Sequence, residues 1–152
     1  MSQNIGRAAH FVLRAGAGVL FLQHGLQKLF GTLGGTPDGP VALMSLLGVA
    51  GLLELTGGVL LIAGLLTRPV AAVLVIEMVA AYFIAHVPQG GWPIQNQGEL
   101  ALLYAAIFLF LAGNGAGPLS VDAWIEDTSL GDRRQAMTDR RRDRDIWTPA
   151  RA

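Results

Sequence analysis

Residues 41–66 hold one charged side chain, Glu54, in a run otherwise rich in leucine, valine, alanine and glycine. A run of that length suits a helix crossing the ~30 Å hydrocarbon core of a bilayer, where backbone polar groups must be satisfied within the segment. Three more runs of the same character cover approximately 8–30, 70–87 and 98–113. None alternates with the period of two that a membrane barrel strand requires. The sequence therefore predicts an all-α polytopic membrane protein, a bundle of four transmembrane helices. The breaks carry turn chemistry: "GTLGGTPDGP" at 31–40, "TRP" at 67–69 and "VPQGGWPIQNQG" at 87–98, with Pro69 suited to a first helical turn and Trp92 to an interfacial anchor.

Charge is scarce and unevenly placed. The 152 residues are 14% charged, where a soluble domain has about 25%. Seven of the eleven basic and six of the eleven acidic residues lie after position 125. Residues 126–152 thus read as a flexible charged tail with too few apolar residues for a core. The start resembles a signal peptide, but Arg14 interrupts the apolar run and no convincing cleavage site follows, so a retained first helix is expected. Arg7, Arg68 and the arginine-rich tail, set against loops 31–40 and 88–97 with Asp38 as their only charge, predict an inner-membrane protein with both termini cytoplasmic. A net charge of zero gives no support to nucleic-acid binding, and the absence of cysteine removes thiolate and disulfide chemistry.

Two groups of polar residues interrupt the apolar runs. At about 1.5 Å per residue, Glu54 and Glu77 fall near the middles of their spans, with Arg14 toward the cytoplasmic side. These three predict a buried charge network in which Arg14 pairs with Glu54 or Glu77. On the same scale His24 lies about 8 Å and Lys28 about 14 Å beyond the midpoint of the first span. Gln23, Gln27, His86, Asn96, Gln97 and Glu99 share that outer level. His24, Gln27 and Lys28 also share one helix face, and lipid is a costly neighbour for a charged group. His24, Lys28, His86, Asn96 and Glu99 are therefore expected to form a ligand pocket. Each has a plainer role available: Lys28 can snorkel, Glu99 can favour a helix N-terminus, and the glutamines can bridge helices. Two histidines and a carboxylate can bind a metal, but Lys28 opposes a cation and no close helical His spacing is present, so neither metal nor haem is expected. Imidazole, ammonium and amide donors suit a carbonyl-bearing or anionic head group such as a quinone ring.

The ordered fragments "HGLQKLFG", "GLLELTGGVLLIAGLLTRPVA", "AHVPQGGW", "NQGELALLY" and "AGNGAGPLSVDAWI" resemble the DoxX family of small four-helix membrane proteins over roughly 7–125. The resemblance singles out His24, Gly25, Lys28, Glu54, Gly58, Arg68, Pro69, His86, Glu99 and Asp122. Where relatives often carry "GPGRYSLD", this chain has "GAGPLSVD", lacking the Arg-Tyr pair. The resemblance implies quinone-linked redox metabolism, since the family takes its name from a membrane quinone oxidoreductase system fed by thiosulfate. The expected function is a quinone-binding membrane subunit, with a membrane or soluble oxidoreductase as partner. Two alternatives stand beside it: an assembly subunit of such a complex, and a small proton-coupled carrier using Glu54 and Glu77, which would need a homo-oligomer to build a pathway.

Overall fold

A computed structural model of the chain describes residues 2–35, 39–129 and 137. Its helices are α1 (Ser2–Phe30), α2 (Leu46–Ala63), α3 (Thr67–Ala81) and α4 (Glu99–Asn114), followed by a short α5 over 121–129. Beyond α3 the chain continues through a π-helical turn, Tyr82–His86, and a 3₁₀ turn, Val87–Gln89. Among the described residues, three helical stretches are long and apolar enough to cross a membrane: Gln3–Phe30, Leu46–Ala63 and Thr67–Gln89.

The expected four-transmembrane bundle is corrected on this point. The fourth run forms a helix of 16 residues, about 24 Å long, which falls short of the ~30 Å core. Gly98 and the Asn96–Gln97 bend stop it at one end, and Gly115 and Gly117, both at positive φ, stop it at the other. It is an apolar helix packed on α3 rather than an independent span. α5 lies across the expected boundary at 125, and the arginine-rich stretch beyond it is outside the described residues.

The helices turn their large apolar side chains outward as well as inward. Val12, Leu20, Val59, Ile76, Leu103 and Leu109 are all exposed, as lipid contact requires. Inside, Phe21 meets Phe108 edge-on at 4.9 Å and Tyr104 at 5.2 Å, with Leu61, Leu74 and Leu111 buried around them.

α1 and α2 are antiparallel and touch backbone to backbone. A Cβ on Gly18 would lie 2.9 Å from the Gly58 carbonyl oxygen, and one on Gly25 would lie 2.6 Å from Leu55 N and 2.7 Å from the Gly51 carbonyl oxygen. Small residues permit this approach where apolar burial supplies no drive between helices. Gly25→Ala should therefore push α1 off α2 and lower stability by about 1–3 kcal/mol. Gly16→Ala, where nothing lies within 4 Å, should leave the thermal midpoint in detergent unchanged or slightly higher.

The α2–α3 turn is held from a distance. Gly64 ends α2 at φ 69, and Leu66 follows in the left-handed region at φ 51. The Asp122 carboxylate accepts from the Leu66 and Thr67 N–H groups at 2.8 and 3.0 Å, which caps α3. This turn, the start of α1 and the segment after α4 thus gather at one end. Residues 31–35, 39–45 and 87–98 lie at the other.

Candidate functional site

At the loop end, four helices converge on a cavity of about 280 Å³ lined by His24 and Lys28 from α1, Glu54 from α2, His86 at the end of the π turn, Gln97 and Tyr104. Lys28 forms an ion pair with Glu54 Oε1, and Glu54 is only 3% exposed. The His24 ring stands edge-on to Tyr104 at 6.2 Å. Phe21, Met78, Ala81, Leu100 and Ala101 supply the apolar part of the wall.

Local backbone irregularity places the rest. The π turn, a feature that recurs at functional sites, carries His86 round so that its ring stacks on Tyr82 at 6.4 Å. His86 Nδ1 lies 3.0 Å from the Asn96 carbonyl oxygen. Asn96 is 1% exposed, donates to the Gly90 carbonyl at 2.8 Å and accepts from the Gly98 N–H at 2.9 Å. Those bonds fold the loop tightly enough to put Gln97 at φ 58 and bring that residue to the cavity wall.

Of the five residues expected to form a ligand pocket, His24, Lys28 and His86 meet in this cavity. Asn96 and Glu99 do not line it. Asn96 spends its amide on the loop, and Glu99 is an exposed residue in the first turn of α4. The aromatic partner, Tyr104, escaped the sequence reading. Its signal was available: Tyr104 and Phe108 stand four apart on one helix face, and the tyrosine is the only residue with a polar tip on it.

The expected network of Arg14, Glu54 and Glu77 divides in two. Arg14 is wholly buried at the turn end, where its guanidinium donates to backbone carbonyls: Nε to Ala116 at 2.9 Å, Nη1 to Leu61 and to Ile62 (2.9 Å), and Nη2 to Leu119 at 2.6 Å. Two of these close the last turn of α2, where unpaired carbonyls and the helix dipole favour a cation. Glu54 takes Lys28 instead of Arg14. Glu77 has neither: both of its carboxylate oxygens are buried without a hydrogen-bond partner among the described residues.

Apolar outward faces, three spans and a polar cavity at one end define a multi-pass membrane protein. The sequence model of the DoxX family matches residues 9–87, and the chain belongs to that family. An uncharacterised protein of Haemophilus influenzae is 43% identical to it over 117 residues, 72% of this chain and 85% of that protein. No solved structure matches. The family match ends at Val87, so it covers His24, Lys28, Glu54 and His86, while Gln97, Glu99, Tyr104 and Asp122 lie beyond it. Among the described residues no group of three His, Asp or Glu side chains is placed to hold a metal ion.

Proposed function

We propose that the chain is the membrane subunit of a quinone-linked redox system and binds a quinone-type head group in the cavity at its loop end. The observation that carries this reading is the convergence of His24, Lys28, His86, Gln97 and Tyr104 on one volume of about 280 Å³. A quinone ring offers acceptor carbonyls on opposite edges, and these side chains supply imidazole, ammonium, amide and phenol donors around it. The group itself would take up two electrons and two protons. The protein's part is to hold the ring, exclude lipid from it and keep titratable side chains against its oxygens. Leu100, half exposed at the cavity wall, gives an apolar tail a way out beside α4.

The chain has no cysteine with which to pass electrons, so electrons would arrive from a partner oxidoreductase or from the reduced substrate directly. The end where Arg7, Arg14 and Arg68 gather is assigned to the cytoplasmic side of the inner membrane, which puts the cavity near the outer face.

Titration of a short-chain quinone into the protein in nanodiscs tests the reading. We expect saturable binding that weakens roughly tenfold in both His24→Ala and Gln97→Ala, one charge-assisted or amide hydrogen bond each. Unaltered binding in both variants would overturn it. Absent quinone binding combined with capture of a soluble oxidoreductase would favour the assembly role.

A further inference from the structure

α2 and α3 enclose a second volume, a cleft of about 480 Å³ that shares Lys28, Glu54, Met78, Ala81 and His86 with the smaller cavity and opens on the other side of the ion pair. Its walls are aliphatic: Leu47, Val49, Leu53, Val73, Ile76 and Ile84. Val49, Ile76 and Ile84 are themselves exposed on the outer surface, so the cleft communicates sideways with the surroundings of the helices, which in a membrane are lipid tails.

The polar groups inside are unbalanced. Glu54 and Glu77 bring four carboxylate oxygens, and three of them, Glu54 Oε2 and both oxygens of Glu77, are buried with no partner among the described residues. The fourth is taken by Lys28. One ammonium therefore faces two carboxylates, and among the described residues the charged groups lining the cleft beside Glu77 are Glu54 and Lys28. The remaining titratable group on the wall, His86, has its Nδ1 engaged with the Asn96 carbonyl. Unpaired carboxylates are among the most costly groups to bury, and a charged side chain at a span's centre is unfavourable even on the lenient insertion scale. The cleft thus has fewer N–H donors and less positive charge than its two carboxylates call for, and its walls are otherwise apolar. A quinone, whose oxygens only accept, supplies neither.

We propose that the α2–α3 cleft binds a lipophilic ammonium ion, a protonated amine whose N–H groups donate to Glu77 and Glu54 Oε2 while its hydrocarbon body lies along the aliphatic walls. The ligand enters laterally past Ile76 and Ile84. Recognition is chiefly by positive charge, so an uncharged alcohol of the same length, though it carries one O–H donor, is discriminated against. The site adjoins the quinone cavity and shares the Lys28–Glu54 wall with it, but its acceptors, Glu77 and Glu54 Oε2, are not groups the quinone reading uses.

Equilibrium binding of radiolabelled octylamine to the full chain in lipid nanodiscs tests this, with empty nanodiscs as the blank and octanol as the neutral competitor of matching length. The expected result is one saturable site that equimolar octanol does not displace and that Glu77→Gln weakens by roughly tenfold or more. Ala80→Trp, which fills the cleft from an exposed position and leaves both carboxylates in place, should abolish binding. If Glu77→Gln fails to yield monodisperse helical protein, the Ala80→Trp variant decides. Unchanged binding in the variant that folds, competition by octanol at equal concentration, or no saturable binding above the blank would each overturn the proposal.

Discussion

Lys28→Met should destabilise the folded protein by about 3–5 kcal/mol, the loss expected when one partner of a buried ion pair is removed and the other is stranded. The stranded group is Glu54, only 3% exposed, whose second oxygen already has no partner among the described residues. With Glu77 beside it, the variant holds two carboxylates and no cation in one cleft. Adding Glu54→Leu to Lys28→Met should recover most of the loss, because replacing both members of a buried pair by apolar groups is often close to neutral. Thermal unfolding in detergent, followed by circular dichroism on the single and double variants, measures the difference. A single variant as stable as the parent would show that the pair contributes nothing to the fold.

Arg14→Ala should be comparably damaging by a different route. It removes donors from the carbonyls of Leu61, Ile62, Ala116 and Leu119 at once, which join the end of α2 to the segment after α4. A buried acceptor left bare is unfavourable by about 1–3 kcal/mol. Even with partial relaxation, a total of about 4 kcal/mol or more follows. Arg14→Lys keeps the charge but replaces a planar fork with a single ammonium, and should restore less than half of the loss. Because Gly64 lies against the same guanidinium, protease cutting at the α2–α3 turn should rise in step with the lost stability. Full restoration by lysine would mean that charge at the α2 C-terminus, rather than the set of carbonyls, is what the arginine provides.

The two basic side chains also explain what the sequence could and could not convey. Depth along each apolar run placed Arg14, Glu54 and Glu77 together, and placed Lys28 far from Glu54. Rise per residue locates α-carbons only. Side chains on a helix lean toward its N-terminus, so Arg14 reaches away from the middle of α1, to the end of α2. Lys28 reaches back toward the middle and finds Glu54. The antiparallel register points the same way: Gly25 faces Gly51 and Leu55, which brings Glu54 within a turn of Lys28. The apolar runs, the turn residues and the convergence of His24, Lys28 and His86 were legible because periodicity and shared depth express them. The length of α4 was less so, since hydropathy continues through the residues where Gly98 and Gly115 end the helix. Asn96 and Glu99 show the limit of composition. Both have the right chemistry for a ligand, but loop hydrogen bonds claim one and a helix N-terminus exposes the other.

Quinone occupancy of the His24–Lys28–His86 cavity is the claim on which the functional reading rests. Mass spectrometry of small molecules co-purifying with the detergent-extracted protein, beside a His24→Ala variant prepared in parallel, tests it most directly. A quinone retained by the native protein and depleted in the variant is the predicted result. A quinone held equally by both, or by neither, would contradict it.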